Sequence, residues 1–163
     1  MSTFKIVIPY TPKPKQSVRL VGKRVYSPSA KGMNKTRVYV QNVMQELQID
    51  ILKGPLLVIA HFKLPAPKSL TDSRRKVLDQ LPHVTRPDVD NLQKFLNDSL
   101  NAVLWQDDCK ISIVLCTKSV TYDKEGSTSL FIRELDQEPI SIDQLLQDVS
   151  DNRYNEELLP DCD

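Results

Sequence analysis

Asp88 and Asp90 stand two residues apart behind Pro87, Lys94 follows Asp90 by four, and Asp107-Asp108 lies beyond the next apolar run. Pro87 disfavours helix for Arg86, so the chain arrives extended. In an extended stretch Asp88 and Asp90 project to the same face. Two carboxylates held together repel unless a cation sits between them. Magnesium is the natural one, because it takes hard oxygen ligands from one or two carboxylates and keeps the rest of its shell for water and phosphate. Asp107-Asp108 can fold back to complete the cluster. On a helix, Lys94 lies one turn from Asp90, where an ammonium can neutralise a phosphate or orient a water. Asp98 continues that polar face and is placed to hold Lys94. The combination suits phosphodiester hydrolysis.

Plainer roles exist for each of these residues. Asp90 can be a helix cap, Asp88 a turn former after proline, and Asp107-Asp108 the polar start of a β connection. Lys94 can be one half of a surface i,i+4 pair with Asp90 or Asp98. Two aspartates around one residue are by themselves a weak motif. His61 and His83 lack the neighbours of a zinc site, and no serine-histidine triad signature is present. Trp105 reads as a core or sheet-edge residue.

The elements that position these residues follow from periodicity. Phe4–Ile8 is a strand stopped by Pro9, and a hairpin is predicted around Val21-Gly22-Lys23. Val40, Val43, Met44, Leu47 and Ile51 recur at helical spacing within residues 35–51. Leu56–Phe62 is a dense apolar run, hence a buried strand. Residues 63–87 form a basic, proline-punctuated excursion with a short helical stretch near residues 71–81. Leu92, Phe95, Leu96, Leu100, Val103 and Leu104 give a helix over residues 91–104 with Asp90 at its N-cap. Ile111–Leu115 and Ser127–Ile132 are strands joined through Lys124-Glu125-Gly126, expected as antiparallel neighbours. Leu145-Leu146 belongs to a short tail helix. The pattern is that of an α+β fold, a single compact domain with a mixed β-sheet and packed helices, plus an acidic C-terminal tail.

Composition narrows the class. A length of 163 residues with 40% hydrophobic content fits one domain with a real core. Three cysteines, Cys109, Cys116 and Cys162, offer neither a disulfide framework nor a zinc knuckle. With no signal-like start and no membrane-length apolar run, a cytoplasmic location and no membrane partner are expected. Residues 1–134 carry 21 Lys+Arg and 12 Asp+Glu, a net +9, whereas residues 135–163 carry one arginine and nine acids, a net −8. A basic body with an acidic tail fits a body that faces a polyanion. It divides the chain into residues 1–134 and an acidic tail of residues 135–163.

The ordered run Arg86-Pro87-Asp88-Val89-Asp90-Asn91-Leu92-Gln93-Lys94, Asp98-Ser99-Leu100-Asn101, Leu104-Trp105-Gln106-Asp107-Asp108, Ile111 and Lys118 resembles the RusA family of Holliday junction resolvases. The opening Ile8-Pro9 with its basic sequel resembles the family start, so the likeness covers roughly residues 4–133. It implies homodimeric crossover junction endodeoxyribonucleases, dependent on magnesium or manganese, that resolve four-way DNA junctions by paired cuts in recombination and repair. Asp88, Asp90 and Asp108 match the family's essential, metal-holding acids, Lys94 its catalytic lysine, and Asp107 adjoins the third acid. Members often travel on phages and prophages. The longer 63–87 excursion and the 135–163 tail depart from the smallest members.

Three other readings compete. A broader structure-selective nuclease for flaps or forks would use the same acids. A non-catalytic DNA-junction-binding protein would not need Asp88, Asp90, Lys94 and Asp108 together. A structural partner protein acting through its acidic tail would show no magnesium effect. Cleavage of labelled four-way, flap, Y and linear DNA with and without magnesium separates them.

Overall fold

The computed structural model describes residues 3–136, 138–139 and 141–143. In chain order its elements are β1 (Thr3–Ile8), β2 (Arg19–Val21), β3 (Arg24–Tyr26), α1 (Ala30–Glu46), β4 (Leu56–Pro65), α2 (Asp72–Leu78), α3 (Val89–Leu100), a 3-10 turn (Asp108–Lys110), β5 (Ile111–Thr121) and β6 (Ser127–Glu134). Four strands form a mixed sheet in the spatial order β1-β6-β4-β5, and β2 with β3 makes a separate hairpin. This is the α+β domain with a mixed sheet that the sequence predicts. Leu145-Leu146 and Cys162, like most of the acidic tail, lie outside the described residues.

The central strand is β4, antiparallel to β6 on one edge and parallel to β5 on the other. A strand paired on both edges and covered by helices needs the apolar density of Leu56–Phe62. A parallel pair needs a long crossover, which the 63–87 excursion, α2 and α3 supply. The expectation of antiparallel neighbours over residues 111–133 is corrected here. β5 and β6 run in opposite directions, but β4 lies between them. Alternation within a strand fixes which face is buried and carries no information on which strand lies alongside.

One face of the sheet meets α1 and α3. Ile6, Ile8, Val58, Ala60, Phe62, Leu130 and Ile132 pack there against Val40 and Met44 of α1 and Leu92, Leu96 and Leu100 of α3. Trp105 is fully buried in the same core. Among the described residues no helix is long and apolar enough to cross a membrane.

Helix ends shift from the predicted ones for identifiable reasons. α1 begins at Ala30 and stops at Glu46, because Gln48 takes a left-handed φ of 54°. The Gln48 and Ile49 amides then bond back to the Gln45 and Met44 carbonyls, a Schellman closure. α3 ends at Leu100, since Ala102 has a φ of 59°, so the buried Val103 and Leu104 follow the helix instead of extending it.

Candidate active site

α3 is delivered by a clamped loop. The Arg86-Pro87 peptide is cis, and Asp88 follows it as the N-cap in extended geometry. The Lys118 ammonium of β5 donates to the Thr85 and Pro87 carbonyl oxygens, at 2.7 Å each. Lys118 therefore acts on the site through the loop. The Asp88 side chain makes no capping bond, which leaves its carboxylate available to a ligand.

The helix starts at Val89, so Asp90 already belongs to its first turn, where a carboxylate complements the helix dipole. The Asp88 carboxylate therefore leaves from the N-cap and that of Asp90 from the first turn. Asp90 lines a pocket with Gln93, Lys94, Asn97, Asp98 and Asp108. Asp88 lines the adjoining groove with Thr11, Pro12, His83, Arg86 and Asn91. The structure thus brings Asp90, Lys94 and Asp108 together and sets Asp88 on the neighbouring side. Among the described residues no group of three or more His, Cys, Asp or Glu is gathered for an ion.

Lys94 is exposed one turn beyond Asp90, and among the described residues it forms no ion pair. Asp98 does not hold it. Its Oδ2 lies 2.6 Å from Lys15 Nζ instead, and its carbonyl accepts from Arg37 at 3.4 Å. Lys15 reaches Asp98 because its amide also bonds the Asn91 carbonyl at 2.9 Å.

Asp108 is set by its neighbours. The Leu52 amide donates to the Leu104 carbonyl and the Gln106 amide to the Leu52 carbonyl, at 3.0 Å each, which fixes the chain beside buried Trp105. Asp107 then accepts the Cys109 amide at 2.9 Å, capping the 3-10 turn. That hydrogen bond holds the Asp107 carboxyl below its ordinary range. Asp107 shapes the turn, and Asp108 lines the pocket.

Sequence reasoning gave Gln93, His83 and Arg86 no individual role in the site. Gln93 is buried on the pocket floor, donating to Asn97 Oδ1 at 2.6 Å and accepting from Cys116 Sγ at 2.8 Å. A glutamine four residues before an asparagine was the available signal. Burial pushes the Cys116 thiol up to about 11, so it is a donor here and not a nucleophile. His83 and Arg86 line the groove with Asp88. Burial and then Lys118 hold the His83 imidazole below its ordinary range, which keeps it neutral near pH 7. His61 is structural, with its two nitrogens 2.7 Å from Thr117 Oγ1 and 3.0 Å from Ser119 Oγ.

Fold and pocket together define a small mixed-sheet α+β domain with a carboxylate- and lysine-bearing pocket at the start of a helix. Residues 8–133 match the family model described as "Endodeoxyribonuclease RusA", and the chain belongs to that family. The chain is also similar to "Uncharacterized protein YqaN" of Bacillus subtilis (strain 168), with 32% identity over 89 residues, covering 52% of this chain and 61% of that relative. The chain therefore spans about three-fifths of the length of the curated relative it matches.

Proposed function

We propose that this chain is a magnesium-dependent endodeoxyribonuclease that cuts branched DNA, four-way junctions above all, as a homodimer. The observation that carries the reading is the convergence of Asp90, Lys94 and Asp108 in one pocket of a body with a net charge of +9. The nuclease unit is residues 1–134, with the acidic 135–163 segment appended, working in the cytoplasm.

The donor set fits a hard divalent cation. Asp90 and Asp108 are exposed carboxylates, and Asp88 makes no capping bond beside them. Oxygen-only donors with room for water and phosphate suit magnesium, with manganese as a substitute. Asp90 and Asp108 would hold the ion, with Asp88 as the third carboxylate. When bound, it supplies Lewis-acid stabilisation of the scissile phosphate and an acidified water. The chain's own residues do the rest. Lys94, with no ion-pair partner among the described residues, would present its ammonium to the charge that builds on the phosphate oxygens. Gln93, locked between Asn97 and Cys116, keeps the floor rigid beneath them. Asp107 and Lys118 hold the two segments that carry Asp108 and Asp88.

Two symmetric cuts require two copies of this pocket, which closed two-fold pairing provides. The sheet face turned away from the helices exposes Val7 and Leu115, apolar area of the kind a second copy would bury. The test is incubation with labelled four-way, flap, Y and linear DNA, with and without magnesium, alongside sedimentation of the protein. Paired cuts on the four-way substrate support a resolvase. Equal or faster cutting of flaps or forks moves the assignment to a broader structure-selective nuclease.

A further inference from the structure

The β2–β3 hairpin is a two-stranded sheet separate from the main one. Its strands pack chiefly on each other, and a lone two-stranded hairpin is marginal in water. Nevertheless it displays large apolar side chains. Leu20 and Val25 are directly paired across the ribbon and each is 74% exposed, with Val18 just before them 58% exposed. Cross-strand partners share a face, so Leu20 and Val25 form an apolar patch on one side. The other side carries Arg19 opposite Tyr26, with Arg24 two residues before Tyr26. Gly22, with a φ of 62° and open space around it, makes the tight turn, and Lys23 sits beside it at the tip.

The charge around this ribbon identifies what it meets. Residues 1–45 hold nine Lys and Arg and no Asp or Glu. Such a segment attracts a polyanion and repels a second copy of itself. Its root is fixed at the edge of the candidate active site. The Gln16 amide bonds Ser29 Oγ at 2.9 Å, and Lys15 is tied to both Asn91 and Asp98 of α3. Asp98 lines the same pocket as Asp90 and Lys94. The segment leading into the arm is therefore anchored beside the pocket of Asp90 and Lys94.

We infer that the hairpin is a DNA-engaging arm for the branch point, in which Arg19, Lys23 and Arg24 hold phosphates while Leu20 and Val25 lie against an unstacked base pair. Phosphate contacts are indifferent to shape and sequence, whereas apolar side chains placed between base steps need unstacked bases. A continuous duplex offers the first and resists the second, so the apolar patch would carry the discrimination in favour of branches. This inference rests on the branched-DNA reading proposed above.

The test compares the whole protein with two exposed-surface variants, Leu20→Ser/Val25→Ser and Arg19→Ala/Lys23→Ala/Arg24→Ala. Binding to four-way and linear duplex DNA is titrated in EDTA, and 2-aminopurine at the branch reports unstacking. The apolar variant should keep linear-duplex affinity within about twofold while its preference for the four-way substrate falls at least about fivefold, with loss of the 2-aminopurine signal. The charge variant should weaken both substrates alike, by at least about tenfold. Both should retain the wild-type melting temperature. An apolar variant that keeps branch preference and unstacking overturns the inference, as does one whose only change is a shift in sedimentation. Wild type that cuts junctions in magnesium alongside such a variant leaves the nuclease reading standing. Wild type that binds no branched DNA overturns both.

Discussion

The ammonium of Lys118 lies 2.7 Å from the carbonyl oxygen of Pro87, the residue directly ahead of Asp88. With its equal bond to the Thr85 carbonyl, it fastens the loop that delivers α3 to the edge strand β5. Lys118→Met keeps the aliphatic stem and removes the charged donor. Chemical denaturation should show a loss of about 2 kcal/mol, the scale of a hydrogen bond from a charged group. Cleavage should fall by at least about tenfold through misplacement of the site, with DNA affinity within about threefold. Unchanged single-turnover cleavage would mean that the loop holds its own conformation.

Asp90→Asn and Asp108→Asn should each abolish detectable cleavage in magnesium, because each removes a charged oxygen ligand from the shared pocket. Both side chains are exposed and outside the core, so the melting temperature should stay within a few degrees of wild type. Calorimetric titration with magnesium should lose its signal in the Asp90→Asn/Asp108→Asn double variant. Asp88→Asn asks whether the carboxylate on the adjoining side joins them. Retained cleavage there would confine the ion to the Asp90–Asp108 pocket.

Lys94→Ala should lower the single-turnover rate by at least about tenfold with DNA saturating, since a charge aimed at the transition state matters most there. Lys94 has no ion-pair partner among the described residues whose loss would confuse the result. A rate equal to wild type would make it an ordinary solvated helix lysine.

The three residues of the cluster Arg74-Arg75-Lys76 differ in their intramolecular partners. Arg75 donates to the Tyr122 carbonyl at 2.9 Å, and Lys76 lies 3.6 Å from Asp72, whose carboxylate accepts the Tyr122 hydroxyl at 2.7 Å. Among the described residues, Arg74 alone of the three is exposed with neither hydrogen bond nor ion pair. Arg74→Ala should weaken binding to all DNA shapes similarly and reduce the slope of affinity against salt by about one phosphate contact. Arg75→Ala should lower thermal stability and change affinity little. An affinity and salt slope unchanged by Arg74→Ala, read by salt titration, would mean that Arg74 makes no phosphate contact.

Much of this was legible in the chain. Leu92, Phe95, Leu96 and Leu100 announce α3, and all four are buried. The apolar run from Leu56 announces the central strand. Extended chain as far as Asp90 was expected, but the extended stretch after Pro87 ends at Asp88. Helix begins at Val89 and takes Asp90 into its first turn. The Lys118 clamp on the Pro87 carbonyl and the Lys15–Asp98 ion pair were not legible, since each is a tertiary contact between residues distant in the chain. A local pattern specifies faces and caps. Partners across the sheet and across the 63–87 excursion come only from the packed chain.

The central claim is that the pocket of Asp90, Lys94 and Asp108 cuts branched DNA with a divalent ion. The most direct measurement is strand-resolved mapping of cuts on a four-way junction, with a linear duplex of the same sequence as control, in magnesium and in EDTA. Wild type should cut opposed strands of the junction at symmetric positions in magnesium, leave the duplex intact and do nothing in EDTA. The Asp90→Asn protein should bind the junction and leave it whole. A junction that wild type binds but leaves uncut in both magnesium and manganese, or one that Asp90→Asn cuts as fast as wild type, would contradict the account.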